Sequence, residues 1–131
     1  MVLAVVLLAV SARAEAPAHF FGKGAWDSRG ADDQIVLTGG FAQGYFDVVE
    51  QKFPWSDTDR RAWANLAIQM VTAWDWRDVN RFYADPANAD AAPAVAMRLT
   101  LEAAIAKMHD GPRLLAMIGV DPKQSVALAT H

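Results

Sequence analysis

The side chains that could carry chemistry are few and scattered. His19, His109 and His131 are the three histidines. No two stand four residues apart on a helix, the spacing that lets two imidazoles grip one zinc ion, so no metal site is expected. His109 falls in the last turn of an expected helix, where an imidazole suits the negative helix end. Cysteine is absent. That excludes a thiolate nucleophile, a cysteine zinc site, an iron–sulfur cluster, c-type haem and a disulfide scaffold. No serine sits in a Gly-x-Ser-x-Gly turn. Gly39-Gly40 lies in a helical pattern rather than after a strand, so it does not read as a phosphate loop. Glu50 and Glu102 are the carboxylates to consider for acid–base work, which needs two of them facing one cleft. Both fall on amphipathic helices, where a solvated face accounts for them. No catalytic residue and no cofactor is assigned, and the chain is expected not to be an enzyme.

The other chemistry is recognition. Five tryptophans is a high count for 131 residues. Trp63 and Trp74 fit an apolar helical stripe and are expected in the core. Trp55 stands beside Pro54 at a helix-to-helix corner, and Trp76 is flanked by Asp75, Arg77 and Asp78. Partly exposed aromatics beside charges are common interface anchors. The other reading of both is a staple packed under a loop. Asp57 and Asp59 beside Trp55, with Asp85 and Asn88 in a second acidic loop, complete the candidate partner-binding set. Acidic loops suit a basic cleft through steering and complementarity.

Helices must position these residues. A first helix is expected from about Asp33 to Phe53, with Ile35, Leu37, Phe41, Ala42, Tyr45, Phe46, Val48 and Val49 spread over a broad apolar face. Gly39, Gly40 and Gly44 each cost about 1 kcal/mol against alanine inside a helix. Gly40 and Gly44 share a face, so close approach by a neighbouring helix is the expected compensation. Pro54 ends that helix. Ser56 caps the next, with Asp57 and Asp59 in its first turn. Trp63, Leu66, Ala67, Met70, Val71 and Trp74 follow at i, i+3, i+4, i+7, i+8 and i+11, one continuous stripe. Asp75 breaks or caps there, and Trp76, Val79, Phe82 and Tyr83 continue as a short helix. Ala84 to Pro93 reads as a loop. Asp90 is the expected cap of a helix carrying Met97, Leu101, Ala104, Ile105 and Met108, ended by Gly111 and Pro112. A short apolar helix ends at Gly119, and Asp121-Pro122 starts a last one with Val126 and Leu128. No stretch alternates with period two. The expected fold is all-α: a small bundle of four to six helices over residues 33–131, preceded by an irregular arm over residues 15–32. Phe20, Phe21 and Trp26 are expected to pin that arm.

Length and composition bound the rest. One core suffices for 131 residues, and 53% apolar residues exclude a disordered chain. The net charge of −3 gives no basic surface for nucleic acid. Met1 to Val10 is an uncharged apolar run, followed by Ser11 and the triplet Ala12-Arg13-Ala14. An apolar stretch followed by small residues at −3 and −1 is the pattern of a secretory signal. Residues 1–14 are therefore expected to be removed, leaving a periplasmic or secreted chain from Glu15. The run is about half the roughly 20 residues that span a bilayer, so stable membrane insertion is not expected.

The stretch Gly40-Phe41-Ala42-Gln43-Gly44-Tyr45-Phe46-Asp47 resembles a pattern in small periplasmic immunity proteins that protect bacteria against type VI secretion peptidoglycan amidases. Val79 to Tyr83, Pro86, Ala92, Ala94 and Leu99 to Ala104 are similar to a second block of that family. The resemblance implies a non-catalytic, all-helical protein that binds a peptidoglycan amidase and blocks its cleft, and no binding residue is carried over from it. A homo-oligomer is compatible with this reading. The alternative function is a small-molecule or lipid carrier, with Met70, Met97, Met108 and Met117 lining an adaptable apolar cavity.

Overall fold

The computed structural model describes residues 21–124. The expected leader, residues 15–20 of the arm, Phe20, Val126 and Leu128 lie outside them. The described residues hold no strand, and the fold is all-α as expected. Six α-helices lie wholly within them: α1 Gly22–Asp27, α2 Ala31–Lys52, α3 Asp57–Ala73, α4 Trp76–Ala84, α5 Pro93–Ala106 and α6 Gly111–Met117; residues 122–124 are helical as well. A 3-10 turn, Pro86–Asn88, lies between α4 and α5. No helix among the described residues is long and apolar enough to cross a membrane.

The described part of the arm is not irregular throughout. It folds into α1 and the first turn of α2. Gly22 makes this possible. Its φ of +57° suits glycine, and a Cβ there would stand 2.2 Å from the Ala89 carbonyl oxygen. That closeness lets the Lys23 N–H donate to the same carbonyl at 2.8 Å. Trp26 is the pin: it is fully buried, its Nε1 donates to Asn80 Oδ1 at 2.7 Å, and its carbonyl accepts from Gln34 Nε2 at 3.0 Å. Phe21 is exposed and pins nothing.

α2 and α3 form an antiparallel hairpin around the corner at Pro54. Ser56 caps α3 as expected, its Oγ accepting from the Asp59 N–H at 3.1 Å. Trp63 of α3 donates through Nε1 to the Phe46 carbonyl of α2 at 3.1 Å, and the two rings lie 4.6 Å apart. Asp75 caps α4 in a reciprocal box with Asp78. Asp90 does not cap α5; Ala92 holds that position and Pro93 opens the helix, where its missing N–H costs nothing. α5 is the central element. Ala96, Met97, Leu99, Thr100, Leu101, Glu102, Ala103 and Ile105 are all buried, clothed by α1, α2, α3, α4 and α6. α5 ends at Ala106, before Gly111. Gly111 and Pro112 open α6 instead of ending α5, because the chain passes so close to α5 that a Cβ at Gly111 would lie 1.7 Å from the Ile105 oxygen.

Candidate functional site

The sequence-predicted contact residues divide between the core, the turns and the surface. Trp55 is a correction. It is 6% exposed, lies 4.4 Å from the Phe53 ring and stacks on Trp63 at 5.5 Å, so the corner folds inward and offers no anchor. Asp57 is exposed in the first turn of α3. Asp59 accepts from Arg113 Nη1 at 2.9 Å and ties α3 to α6. Trp76 is half-buried against the core with the Arg77 guanidinium 5.5 Å from its ring. Asp85 accepts from the Ala87 N–H at 2.9 Å, and Asn88 Nδ2 donates to the Phe82 carbonyl at 2.8 Å. Both are spent on shaping the turn. Asp57 and Trp76 flank opposite ends of the 17-residue α3. At 1.5 Å per residue they stand about 25 Å apart, so the set forms no single surface. Trp63 and Trp74 are buried as expected.

Gly40 and Gly44 are a second correction. Both are exposed, and a Cβ built on Gly39, Gly40 or Gly44 would meet nothing within 4 Å. No neighbouring helix of the described chain approaches them. Val71, expected in the buried stripe, is 79% exposed. Ile68 and Val36 are 69% and 73% exposed. Ile68 and Val71 line a groove of about 360 Å³ between α2 and α3, floored by Ala42, Phe46, Ala67 and Met70 and bordered by Gly39, Gln43 and Asp47. Val36 stands one helical turn before Gly39 and Gly40 on the same outward side of α2. The sequence carried one signal of this groove: Ile68 is an apolar residue off the stripe of its helix.

The ionisable groups that meet in the interior do so for structural ends. Glu102 is 2% exposed. Its Oε2 accepts from Tyr45 Oη at 2.7 Å and its Oε1 from Arg98 Nη1 at 3.1 Å. Burial, and next the adjacent carboxylate, push the Tyr45 phenol far above its ordinary range. Glu102 is thus held by Tyr45 and Arg98, not opposed to Glu50. A second hollow, of about 380 Å³, is lined by Ala73, Phe82, Ala103 and Met108, with Asp78, Arg81 and Lys107 around it. Asp78 there accepts from Arg81 and from the Asp75 N–H. Thr100, its one hydroxyl, accepts from Trp74 Nε1 and donates to the Ala96 carbonyl. No group of three potential metal ligands occurs among the described residues. The four methionines do not share a cavity: Met70 and Met97 are core, Met108 faces the second hollow, and Met117 is exposed.

The candidate site is therefore the groove on the α2–α3 hairpin. Its polar border is Gln43 and Asp47. Asp32, Asp33, Asp47 and Glu50 stand on α2, and no ion pair engages any of them among the described residues. No family model matches the chain, and comparison with curated proteins and with solved structures finds no match either.

Proposed function

We propose that this chain is an exported, non-catalytic helical module that binds another protein through the outer face of the α2–α3 hairpin. One observation carries the proposal: Ile68 and Val71 stand more than two-thirds exposed on an apolar groove that no described part of the chain fills, with exposed Val36 further along the same helix α2. Contiguous exposed apolar surface rimmed by polar groups is the mark of an interaction site. The apolar run at Met1 to Val10 and the Ala12-Arg13-Ala14 triplet support export. The resemblance of Gly40 to Asp47 to amidase-inhibiting immunity proteins supports a peptidoglycan amidase as the partner. The test is binding and inhibition of a purified type VI peptidoglycan amidase by the wild-type protein and by an Ile68→Asp/Val71→Asp variant. Inhibition by the wild type and its loss in the variant supports the reading. Equal inhibition by both moves the contact surface elsewhere, and no inhibition by either removes the amidase. Export has its own check: the periplasmic protein should begin at Glu15, and an intact Met1 in that fraction contradicts it.

A further inference from the structure

The hollow between α3, α4 and α5 has no part in the protein-binding reading, and we propose that it is a site for a small organic acid, an apolar body carrying one carboxylate. Its volume of about 380 Å³ falls within the range of small-molecule pockets, and junctions between helices are where such pockets form. Its room comes from side chains that stop short. Ala73 ends α3, and Ala103 and Ala104 stand on α5, so three of the lining residues carry only a methyl group. Phe82, 3% exposed, is the stiff apolar wall on α4. Met108 is a flexible one that can fit itself to a ligand. Helical spacing brings the two sides together. Thr100, Ala103, Ala104 and Lys107 follow at i, i+3, i+4 and i+7, and Asp78, Arg81 and Phe82 at i, i+3 and i+4. An apolar floor of this kind favours a ligand with an apolar body.

The rim selects the carboxylate, because its polar side chains can be accounted for one by one. Thr100 is spent: its Oγ1 donates to the Ala96 carbonyl at 2.8 Å and accepts from Trp74 Nε1 at 2.9 Å. Asp78 is spent as well, with Oδ2 accepting from the Asp75 N–H at 2.9 Å and Oδ1 accepting from Arg81. Beside it, Asp75 and Arg77 pair with each other at 3.3 Å. What is left over is cationic. Arg81 gives Asp78 one end of a guanidinium that carries several N–H donors. Lys107 enters no ion pair among the described residues. The unspent side-chain groups are donors only, so the ligand must bring acceptors. Placement decides what kind. Arg81 and Lys107 are exposed, whereas Phe82, Thr100 and Ala103 are buried, and α3 and α5 both finish beside the hollow with their negative helix ends. A bare inorganic anion would meet those helix ends and the apolar floor. A carboxylate on an apolar body avoids both, since the body covers the floor and the charged end reaches out to the two cations.

The experiment titrates phenylbutyrate, its uncharged amide phenylbutyramide, decanoate and inorganic phosphate into the protein purified from expressing cells. Binding is read from backbone amide resonances in a nitrogen–proton correlation spectrum. The expected result is saturable shifts at Ala73, Phe82 and Ala104, with the acid binding about fivefold tighter than the amide at low salt, as two partly exposed charge contacts allow. Added salt should shrink that margin, and phosphate should not saturate. Lys107→Gln should narrow the margin between acid and amide. Ala104→Leu fills the hollow and should remove binding of both. Helicity and Tm are measured for each variant, and neither substitution touches the α2–α3 groove. Lys107 is exposed, so its substitution keeps the test decisive if Ala104→Leu does not fold. Equal binding of acid and amide overturns the inference, as does a margin unchanged in Lys107→Gln, shifts centred on the α2–α3 groove, or no shift with any probe at millimolar concentration. Saturable phosphate binding also overturns it. Decanoate binding tighter than phenylbutyrate overturns the small-acid class, because the ligand is then a lipid chain.

Discussion

In sequence α2 reads as the helix with the broad apolar face and α5 as one with a single apolar face, yet the fold treats them the other way round. α5 buries eight of its 14 residues and is packed by five other helices. α2 buries only Gln34, Thr38 and Phe46 of its 22, and leaves Ile35, Val36 and Val48 outside. Glycine makes the same contrast. Gly111 is pressed against the end of α5, whereas Gly39, Gly40 and Gly44 face open space. Apolar character alone therefore does not say whether a face is satisfied by its own chain. On α5 it is a core, and on the hairpin it is exposed surface among the described residues.

The largest predicted effect enforces that contrast from the buried side. Gly111→Ala must displace the Ile105 backbone and should cost at least as much as a severe core change, about 3–5 kcal/mol. Ile105→Ala, at a fully buried position, should cost about 2–5 kcal/mol through lost burial and the cavity left behind. Ile68→Asp and Val71→Asp on the groove should each stay within about 1 kcal/mol, since exposed positions tolerate change. Chemical denaturation measures all four, and a groove variant as damaging as Ile105→Ala would break the comparison.

Next in size is the polar contact between the two regions. Tyr45→Phe removes one of the two donors to buried Glu102 and should cost about 1–3 kcal/mol in the same assay. Smaller, and opposite in sign, are Gly40→Ala and Gly44→Ala. Each should stabilise by about 0.5–1 kcal/mol, because the added methyl meets nothing and the helix gains propensity. Destabilisation by either would show that the face is already covered. Least in size is an alkaline effect. Burial, with Asp27 second, pushes the Tyr83 phenol up to about 12, and Tyr45 is raised too. Unfolding lets both phenols ionise near pH 10, so their contribution is intact below pH 10 and is lost as pH rises from there through the folded-state values. Thermal melts at pH 9 and pH 11 should show the wild type losing more Tm than Tyr83→Phe.

Much of the architecture was legible because it is written locally. Ser56 and Asp75 are caps by residue type and position, and Trp63 and Trp74 lie on a stripe that only helical spacing explains. The misreadings share one cause, which is that long-range approach is not encoded in neighbours. Trp55 beside a proline could turn either way, and stacking on Trp63 turned it in. The arm over residues 15–32 read as irregular, but the close approach of Gly22 to the carbonyl of Ala89, far along the chain, made a helix start there. Gly40 and Gly44 have the spacing of a packed helix pair, and spacing does not say whether the partner belongs to the same chain. Asp85 and Asn88 looked available for contact, and the turn they sit in consumes their hydrogen-bonding groups.

The central claim is that the hairpin face is free in the isolated protein and covered by its partner. Because the chain has no cysteine, Val71→Cys supplies a single reporter thiol, with Ser28→Cys, exposed and far along the chain, as control. Maleimide labelling is read on the protein alone and after mixing with cell-envelope extract. The account predicts rapid labelling of both thiols alone, and slowing of about tenfold at residue 71 but not at residue 28 in the extract, as burial in a specific interface requires. A residue 71 thiol that is slow from the start, or one that keeps its full rate in the extract, contradicts the account.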